Sequence, residues 1–292
     1  MTEIKNCPIC NSLIFNYLIQ CKDYTVSEES FKIVECKDCG FVFTNPIPDE
    51  SEIIKYYKSD NYISHSDTKK GLMNILYHQV RKITLKKKLN LVNNLSKKRR
   101  LLDIGCGTGY FLKRCKEDGW TIEGTEPDPD ARKIAEQITN SEISETIFTK
   151  NKDLSYDMIT MWHVLEHVHK INECIEKISS LLAAGGKLII AVPNCKSYDA
   201  KIYGENWAAY DVPRHLYHFT AESMAKLLQK HNFSILKKEP MKFDAFYVSM
   251  MSEKNKNGSI IKGALNGLIS NVKSGREKNY SSVIYIAEKT KK

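Results

Sequence analysis

The run Arg100-Leu101-Leu102-Asp103-Ile104-Gly105-Cys106-Gly107-Thr108-Gly109 constrains the fold of this chain most. An apolar stretch of strand length ends in three glycines at alternate positions, and a helical pattern starts at Tyr110. Glycines at such a junction let the backbone turn sharply and approach a ligand closely. The N–H groups at the start of the next helix can bind an anion. A strand–turn–helix unit of this kind needs a parallel partner strand, reached by a right-handed crossover.

The rest of the chain supplies such partners. Tyr110–Asp118 reads as a helix stopped by Gly119. Thr121–Glu126 reads as a second strand, followed by Asp128-Pro129 as N-cap and first helical residue. Glu145–Thr149 is a weak third strand and Tyr156–Trp162 a fourth. A helix then carries Ile171, Cys174, Ile175, Ile178, Leu181 and Leu182 and ends at Gly185-Gly186. Lys187–Val192 is a fifth strand, Thr220 caps another helix, and Phe233–Lys238 and Ser281–Ala287 are the last strands. The expectation is an α/β fold with a doubly wound, seven-stranded, mainly parallel Rossmann-like sheet and a small N-terminal β module. Residues 1–45 read as that module, 46–98 as a linker and helical region, and 99–292 as the α/β domain. The helical region includes an amphipathic pattern on Leu72, Ile75, Leu76, Val80, Ile83, Leu89, Val92 and Leu95. Residues 241–280 carry the weakest pattern.

A glycine turn alone does not separate one nucleotide-like ligand from another. Glu126, at the end of the second strand, narrows the choice, because an acid there can accept hydrogen bonds from the ribose of an adenosine. The two features together point to an adenosyl cofactor. Leu102–Gly109 resembles the first motif of class I S-adenosylmethionine-dependent methyltransferases. Gly124-Thr125-Glu126-Pro127 is similar to their second-strand motif. Tyr156-Asp157-Met158-Ile159 with His163-Val164-Leu165-Glu166-His167-Val168 is similar to their fourth-strand motif, and Gly185-Gly186-Lys187-Leu188 to their turn into strand five. The resemblance spans residues 100–240, with 281–287 matching the last, antiparallel strand. It implies that Asp103, Gly105, Cys106, Gly107 and Gly109 lie against the methionine end of the cofactor. Glu126 and Pro127 would hold the ribose, and Trp162 and His163 would line the sulfonium side. Asn151-Lys152-Asp153 stands where the family often has an adenine contact.

Cys7-x-x-Cys10 and Cys36-x-x-Cys39 are 25 residues apart. Two such pairs supply four thiolates, the tetrahedral set that structural zinc takes. A redox dithiol needs only one pair. Zn2+ held by Cys7, Cys10, Cys36 and Cys39 is therefore expected, with no open coordination position. A four-cysteine module followed by Cys39-Gly-Phe-Val-Phe-Thr-Asn-Pro-Ile-Pro48 and a methyltransferase core resembles a bacterial group that includes sugar methyltransferases. The chain is shorter than the sugar C-methyltransferases of that group, which carry a further C-terminal domain, so a hydroxyl is the expected acceptor.

The segment Pro213-Arg214-His215-Leu216-Tyr217-His218 recurs in that group and follows the fifth strand, where α/β ligands sit. Arg214, Tyr217 and His218 are candidate substrate contacts, and His167 and His215 candidate bases at the methyl acceptor. The chain has 292 residues, a net charge of +9 and nine cysteines. The charge suits a phosphate-bearing acceptor, although the lysines are spread along the chain. A small-molecule or sugar-type acceptor is the leading reading. An RNA methyltransferase and a non-catalytic cofactor-binding scaffold are the alternatives, and no RNA-binding motif is present. No apolar run reaches the roughly 20 residues of a membrane span. Met1-Thr-Glu-Ile-Lys-Asn-Cys7 lacks the apolar core of a secretory signal. A reduced, cytoplasmic protein is expected.

Overall fold

In the computed structural model, residues 1–57, 72–97, 100–151 and 155–290 are described. Lys98 and Arg99, and Lys152 and Asp153 of the expected adenine contact, lie outside them.

A seven-stranded sheet forms the centre. Its strands are β4 (Arg100–Ile104), β5 (Thr121–Thr125), β6 (Ile143–Ser144), β7 (Tyr156–Trp162), β8 (Leu182–Pro193), β10 (Phe233–Pro240) and β11 (Ser282–Lys289). Their order is β10-β11-β8-β7-β4-β5-β6. Only β11 runs against its neighbours, pairing antiparallel with both β8 and β10. Successive residues of a strand point to opposite faces, so β4 feeds two cores. Leu102 and Ile104 pack with Ile159, Leu188 and Ile190 beneath α4 (Ile171–Leu181) and α6 (Ala221–Lys230). Leu101 packs with Met158 and Ile189 beneath α1 (Leu72–Leu95), α2 (Tyr110–Glu117) and α3 (Pro129–Thr139). Both faces are covered by helices, which is why β4, β7 and β8 are mostly apolar rather than alternating.

The helix caps follow the sequence. The Asp128 side chain accepts from Ala131 N–H with Pro129 in the first turn. Thr220 and Ser223 form a reciprocal capping box at the head of α6.

Four expectations are corrected. The third strand is Ile143–Ser144, and Ile147–Thr149 is a 3-10 turn instead. The fifth strand begins at Leu182, directly after α4, and runs through Gly185-Gly186 with a register shift against β7. Ile83 of α1 is exposed, and Leu85 packs in its stead. Residues 241–280 form two packed helices, α7 (Lys242–Asn255) and α8 (Ile260–Glu277). A Cβ on Gly263 would lie 2.5 Å from Met250 Cα, and one on Gly267 would lie 2.7 Å from Phe246 Cα. The helices approach closely because these positions lack side chains. The same glycines weaken helix propensity and hide the pair from the sequence.

The N-terminal strands β1 (Phe15–Lys22), β2 (Ser30–Cys36) and β3 (Val42–Thr44) do not close on themselves. Their sheet is completed by β9 (Tyr217–His218), from the loop after β8. Cys7, Ile9, Cys36, Phe41 and Phe43 share one core with Leu102, Ile159 and Leu227. The cysteine-bearing segment is thus docked on the α/β domain through a continuous apolar core.

Candidate active site

The glycine turn and the acid after β5 meet at the carboxyl ends of the strands. The Glu126 carboxylate accepts from Gly107 N–H at 2.7 Å and from Asp128 N–H at 3.0 Å. A carboxylate offers about four lone-pair positions, so two remain for a ligand's hydroxyls. Gly107 has a positive φ, and a Cβ there would meet nothing within 4 Å, so the turn faces open space. Gly109 differs: a Cβ would lie 2.9 Å from Ala135 Cα, so this glycine lets α3 press against the turn. Gly105 and Cys106 are half-buried between them, and Cys106 N–H donates to Thr125 O at 2.9 Å. Pro127 is exposed, and its carbonyl accepts from Arg132 at 3.1 Å.

Asp103 is buried and accepts from the Thr160 hydroxyl at 2.6 Å. Burial pushes its carboxyl up to about 7, against the opposing pull of the Thr160 hydrogen bond and the nearby Lys88 ammonium. Trp162 stands edge-on to Phe111, with the Lys88 ammonium 4.3 Å from its ring centroid. Its indole N–H is buried without a hydrogen-bond partner among the described residues. An orphaned donor, an open glycine turn and a half-satisfied carboxylate are what an adenosyl cofactor needs from a protein. The residues present fit one. A cavity of about 410 Å³ between α1, α7 and the sheet edge borders this corner through Lys88 and Asp244.

His163, expected beside the sulfonium, is held instead in an ion pair. It sits at φ 57° and links Asp244 (3.0 Å) to Glu166 (3.4 Å). Burial disfavours its imidazolium, but the two carboxylates overcome that and raise its pKa to about 10.

His167 and His215 come together although 48 residues apart in the chain, their rings edge to face with centroids 4.6 Å apart. His167 Nδ1 lies 2.9 Å from Arg214 O and 3.0 Å from the Tyr57 hydroxyl. His215 Nδ1 lies 2.8 Å from Ala209 O. Burial and the neighbouring His215 lower His167 to about 4, so it is neutral near pH 7.

The other three residues of the histidine-rich loop, the candidate substrate contacts, are buried and bind other parts of the protein. Arg214 binds Asp211 through Nε (3.0 Å) and Nη2 (2.6 Å), Asp23 through Nη2 (3.0 Å) and Tyr56 O through Nη1 (2.9 Å). Asp23 in turn closes the β1–β2 turn by accepting from Thr25, Val26 and Ser27 N–H. Tyr217 stacks on Phe41 and donates to His169 O at 3.0 Å. His218 is buried with Nε2 3.1 Å from the Thr44 hydroxyl. Arg214 and His218 clasp the N-terminal sheet to the loop, and Tyr217 ties the loop to the segment before α4.

The sulfurs of Cys7, Cys10, Cys36 and Cys39 lie within 4.8 Å of one another. Cys7–Cys39 and Cys10–Cys36 are both 3.5 Å apart, far beyond a disulfide bond. Thiolates bound tetrahedrally at about 2.3 Å from zinc stand roughly 3.8 Å apart. The donor set therefore fits a structural zinc ion.

Lys88, Thr160 and Asp244 belong to this region, yet the motifs did not mark them. Lys88 had a readable signal, because it shares the stripe of Leu85, Leu89 and Val92 on α1, an apolar face where a lysine is out of place. Asp244 had none, since its helix lacks a clear apolar face.

The domain family described as "Methyltransferase domain" matches residues 76–238. A ubiquinone biosynthesis O-methyltransferase of Paraburkholderia phymatum is 25% identical over 126 residues, 40% of this chain and 54% of that protein. The chain thus spans about half the length of that relative. Among solved structures, a magnesium protoporphyrin IX methyltransferase from Synechocystis PCC 6803 with bound SAH superposes with TM-score 0.54 at 15% identity. It covers 83% of this chain and all of that one. A [4+2]-cyclase superposes with TM-score 0.51 at 19% identity, covering 70% and 80%. These likenesses show the fold, and the cyclase shows that the fold alone does not name the reaction. The domain match does more: it extends over more than half of the 292 residues, across the strands that carry Asp103, Glu126 and Trp162, and the chain belongs to the methyltransferase domain family.

Proposed function

We propose that this protein transfers the methyl group of S-adenosylmethionine to a hydroxyl of a small-molecule or sugar-type acceptor, a glycan precursor included. The observation that carries the reading is the Glu126 carboxylate, fixed by Gly107 N–H beside an open glycine turn. Asp103 would take the ammonium of the methionine end, and Glu126 the ribose. The buried N–H of Trp162 would face the bound cofactor. The curated relative is an O-methyltransferase, which favours an oxygen acceptor.

Methyl transfer from a sulfonium is an in-line displacement. Alignment of two bound reactants can supply about 7–11 kcal/mol, whereas a general base adds about 10²–10⁴-fold. Positioning by the cofactor corner is therefore the larger contribution. The paired imidazoles of His167 and His215 are placed to assist loss of the acceptor's hydroxyl proton. Zinc bound by Cys7, Cys10, Cys36 and Cys39 would be structural, since four thiolates leave no open position. The nine cysteines are free thiols, which supports a reducing compartment such as the cytoplasm. Among the described residues no helix is long and apolar enough to cross a membrane.

The test is to incubate the protein with methyl-labelled S-adenosylmethionine and fractionated host extract, and to identify the labelled product. A labelled small molecule with equimolar S-adenosylhomocysteine is expected. Cofactor binding with no transfer in any fraction would make the protein a scaffold, and label in RNA would move the acceptor class.

A further inference from the structure

Glu166 is fully buried, and neither of its carboxylate oxygens has a hydrogen-bond partner among the described residues. A buried carboxylate left unsatisfied is costly. Its one charged neighbour, His163 at 3.4 Å, is shared with Asp244 at 3.0 Å. One imidazolium is shared by two carboxylates, and the nearby Lys88 ammonium faces Asp103 and Asp244, so Glu166 is the carboxylate left under-compensated.

The other side of Glu166 faces His167 and His215. Each imidazole has Nδ1 within 2.9 Å of a backbone carbonyl, of Arg214 and Ala209 respectively. A carbonyl can only accept, so Nδ1 carries the hydrogen and Nε2 keeps its lone pair. Asp211 stands 3.9 Å from His215 Nε2, beyond hydrogen-bond reach. A ring N–H donated to a backbone carbonyl is the second-shell arrangement found behind histidines that bind metals. One ligand atom from each of Glu166, His167 and His215 lies within 4.8 Å of the others. Ligands around a first-row ion stand about 3–3.5 Å apart, so small side-chain rotations close the set.

We propose that Glu166, His167 and His215 form a second metal site, distinct from the four cysteines, that takes a first-row divalent cation. Two imidazoles and one carboxylate suit zinc, manganese, iron or cobalt; the four-thiolate site shares zinc and cobalt with that list but disfavours the harder manganese. Three protein ligands leave open coordination positions, as in catalytic zinc sites. Those positions would receive the oxygen of the acceptor and favour its ionised form. That last role rests on the proposed methyl transfer; the binding of the cation does not.

The experiment titrates chelator-treated, full-length protein with Co2+, following metal content and absorption without any turnover assay. Cobalt at the cysteines gives intense near-ultraviolet thiolate charge transfer. Cobalt at the nitrogen–oxygen site gives weak visible bands alone. The wild type is expected to bind one equivalent with no thiolate signature. Changes behind a metal ligand cost about 10–100-fold in affinity, so removing a ligand by Glu166→Gln or His215→Gln should weaken this equivalent at least 100-fold. The thiolate band should be unchanged, which certifies that the variants are folded. A wild type that binds no such equivalent overturns the proposal whatever the variants do, and so do folded variants that keep it. If the cation binds yet no methyl acceptor is found, the function fails and the site stands.

Discussion

The cofactor corner and the histidine-rich loop lie at the same end of one sheet and are built in opposite ways. In the corner the deciding contact, Gly107 to Glu126, spans 19 residues. In the loop, Arg214 reaches Asp23 across 191 residues and Tyr56 across 158, and His218 reaches Thr44 across 174. Local geometry makes the first site, so its residues are held by adjacent turns of one chain segment. The second exists only when the N-terminal sheet docks and donates its carboxylate. Damage to the corner should therefore cost ligand binding, and damage to the loop should cost folding.

The largest expected effect comes from metal removal. Structural zinc contributes folding free energy outright, about 10–16 kcal/mol of apparent binding in small peptides. Here Cys7 and Cys36 also pack into the main core, which retains part of the structure without metal. With zinc at the four cysteines as proposed, stripping it with a strong chelator should lower the thermal midpoint more than any single substitution below, read by calorimetry. An unchanged midpoint after zinc loss would show that the segment is held by packing alone.

Arg214→Met comes next. It leaves Asp23, whose side chain is wholly buried, as an uncompensated charge. Breaking a buried pair in this way costs about 3–5 kcal/mol. Urea denaturation should register that loss, while the protein that remains folded binds S-adenosylmethionine nearly as the parent does. A variant with normal stability and a raised acceptor KM would restore Arg214 to the substrate.

Glu126→Ala should give the converse result. Hydrogen bonds to a charged group are worth about 1.5–3 kcal/mol, so calorimetric titration should show cofactor affinity down about 10–100-fold with little change in the denaturation midpoint. Equal losses in both would erase the contrast between the two regions.

Asp103 offers the smallest and most specific test. Its carboxyl is raised to about 7 by burial, so it is neutral below that value and charged above it. The charged form attracts the cofactor's ammonium. Affinity for S-adenosylmethionine should rise about tenfold from pH 5.5 to 7.5, and Asp103→Asn should flatten that slope. The same sign applies to folding. A carboxyl whose folded pKa exceeds its unfolded value of about 3.9 loses stability as pH rises between the two, so the apo protein should weaken over the range in which cofactor binding strengthens.

Sequence alone determined the parts whose physics is local. Strand β4 and strand β7 were legible to the residue because both faces of each are buried and most of their side chains are apolar. Asp128, Pro129 and Thr220 marked helix starts because capping is a contact between neighbours. The glycine turn and Glu126 likewise meet as neighbouring segments, and the paired cysteines announced a four-thiol cluster that the fold assembles. Elsewhere the local signal misled. Gly185-Gly186 looked like a helix stop but lies within a bulged strand, and the glycines of α8 concealed a helix by permitting close packing.

Only the tertiary structure decided what the histidines and Arg214 do. A histidine or an arginine in a loop can contact a substrate or another part of the protein with the same side chain, and the sequence around it reads alike. The arrival of Asp23 from the N-terminal sheet made Arg214 a strut. The burial of Glu166 with no hydrogen-bond partner among the described residues, facing two imidazoles with matched Nδ1 contacts, is what makes His167 and His215 the proposed ligands. Charge and hydrogen bonding depend on which distant groups share a small volume, and chain order does not carry that information.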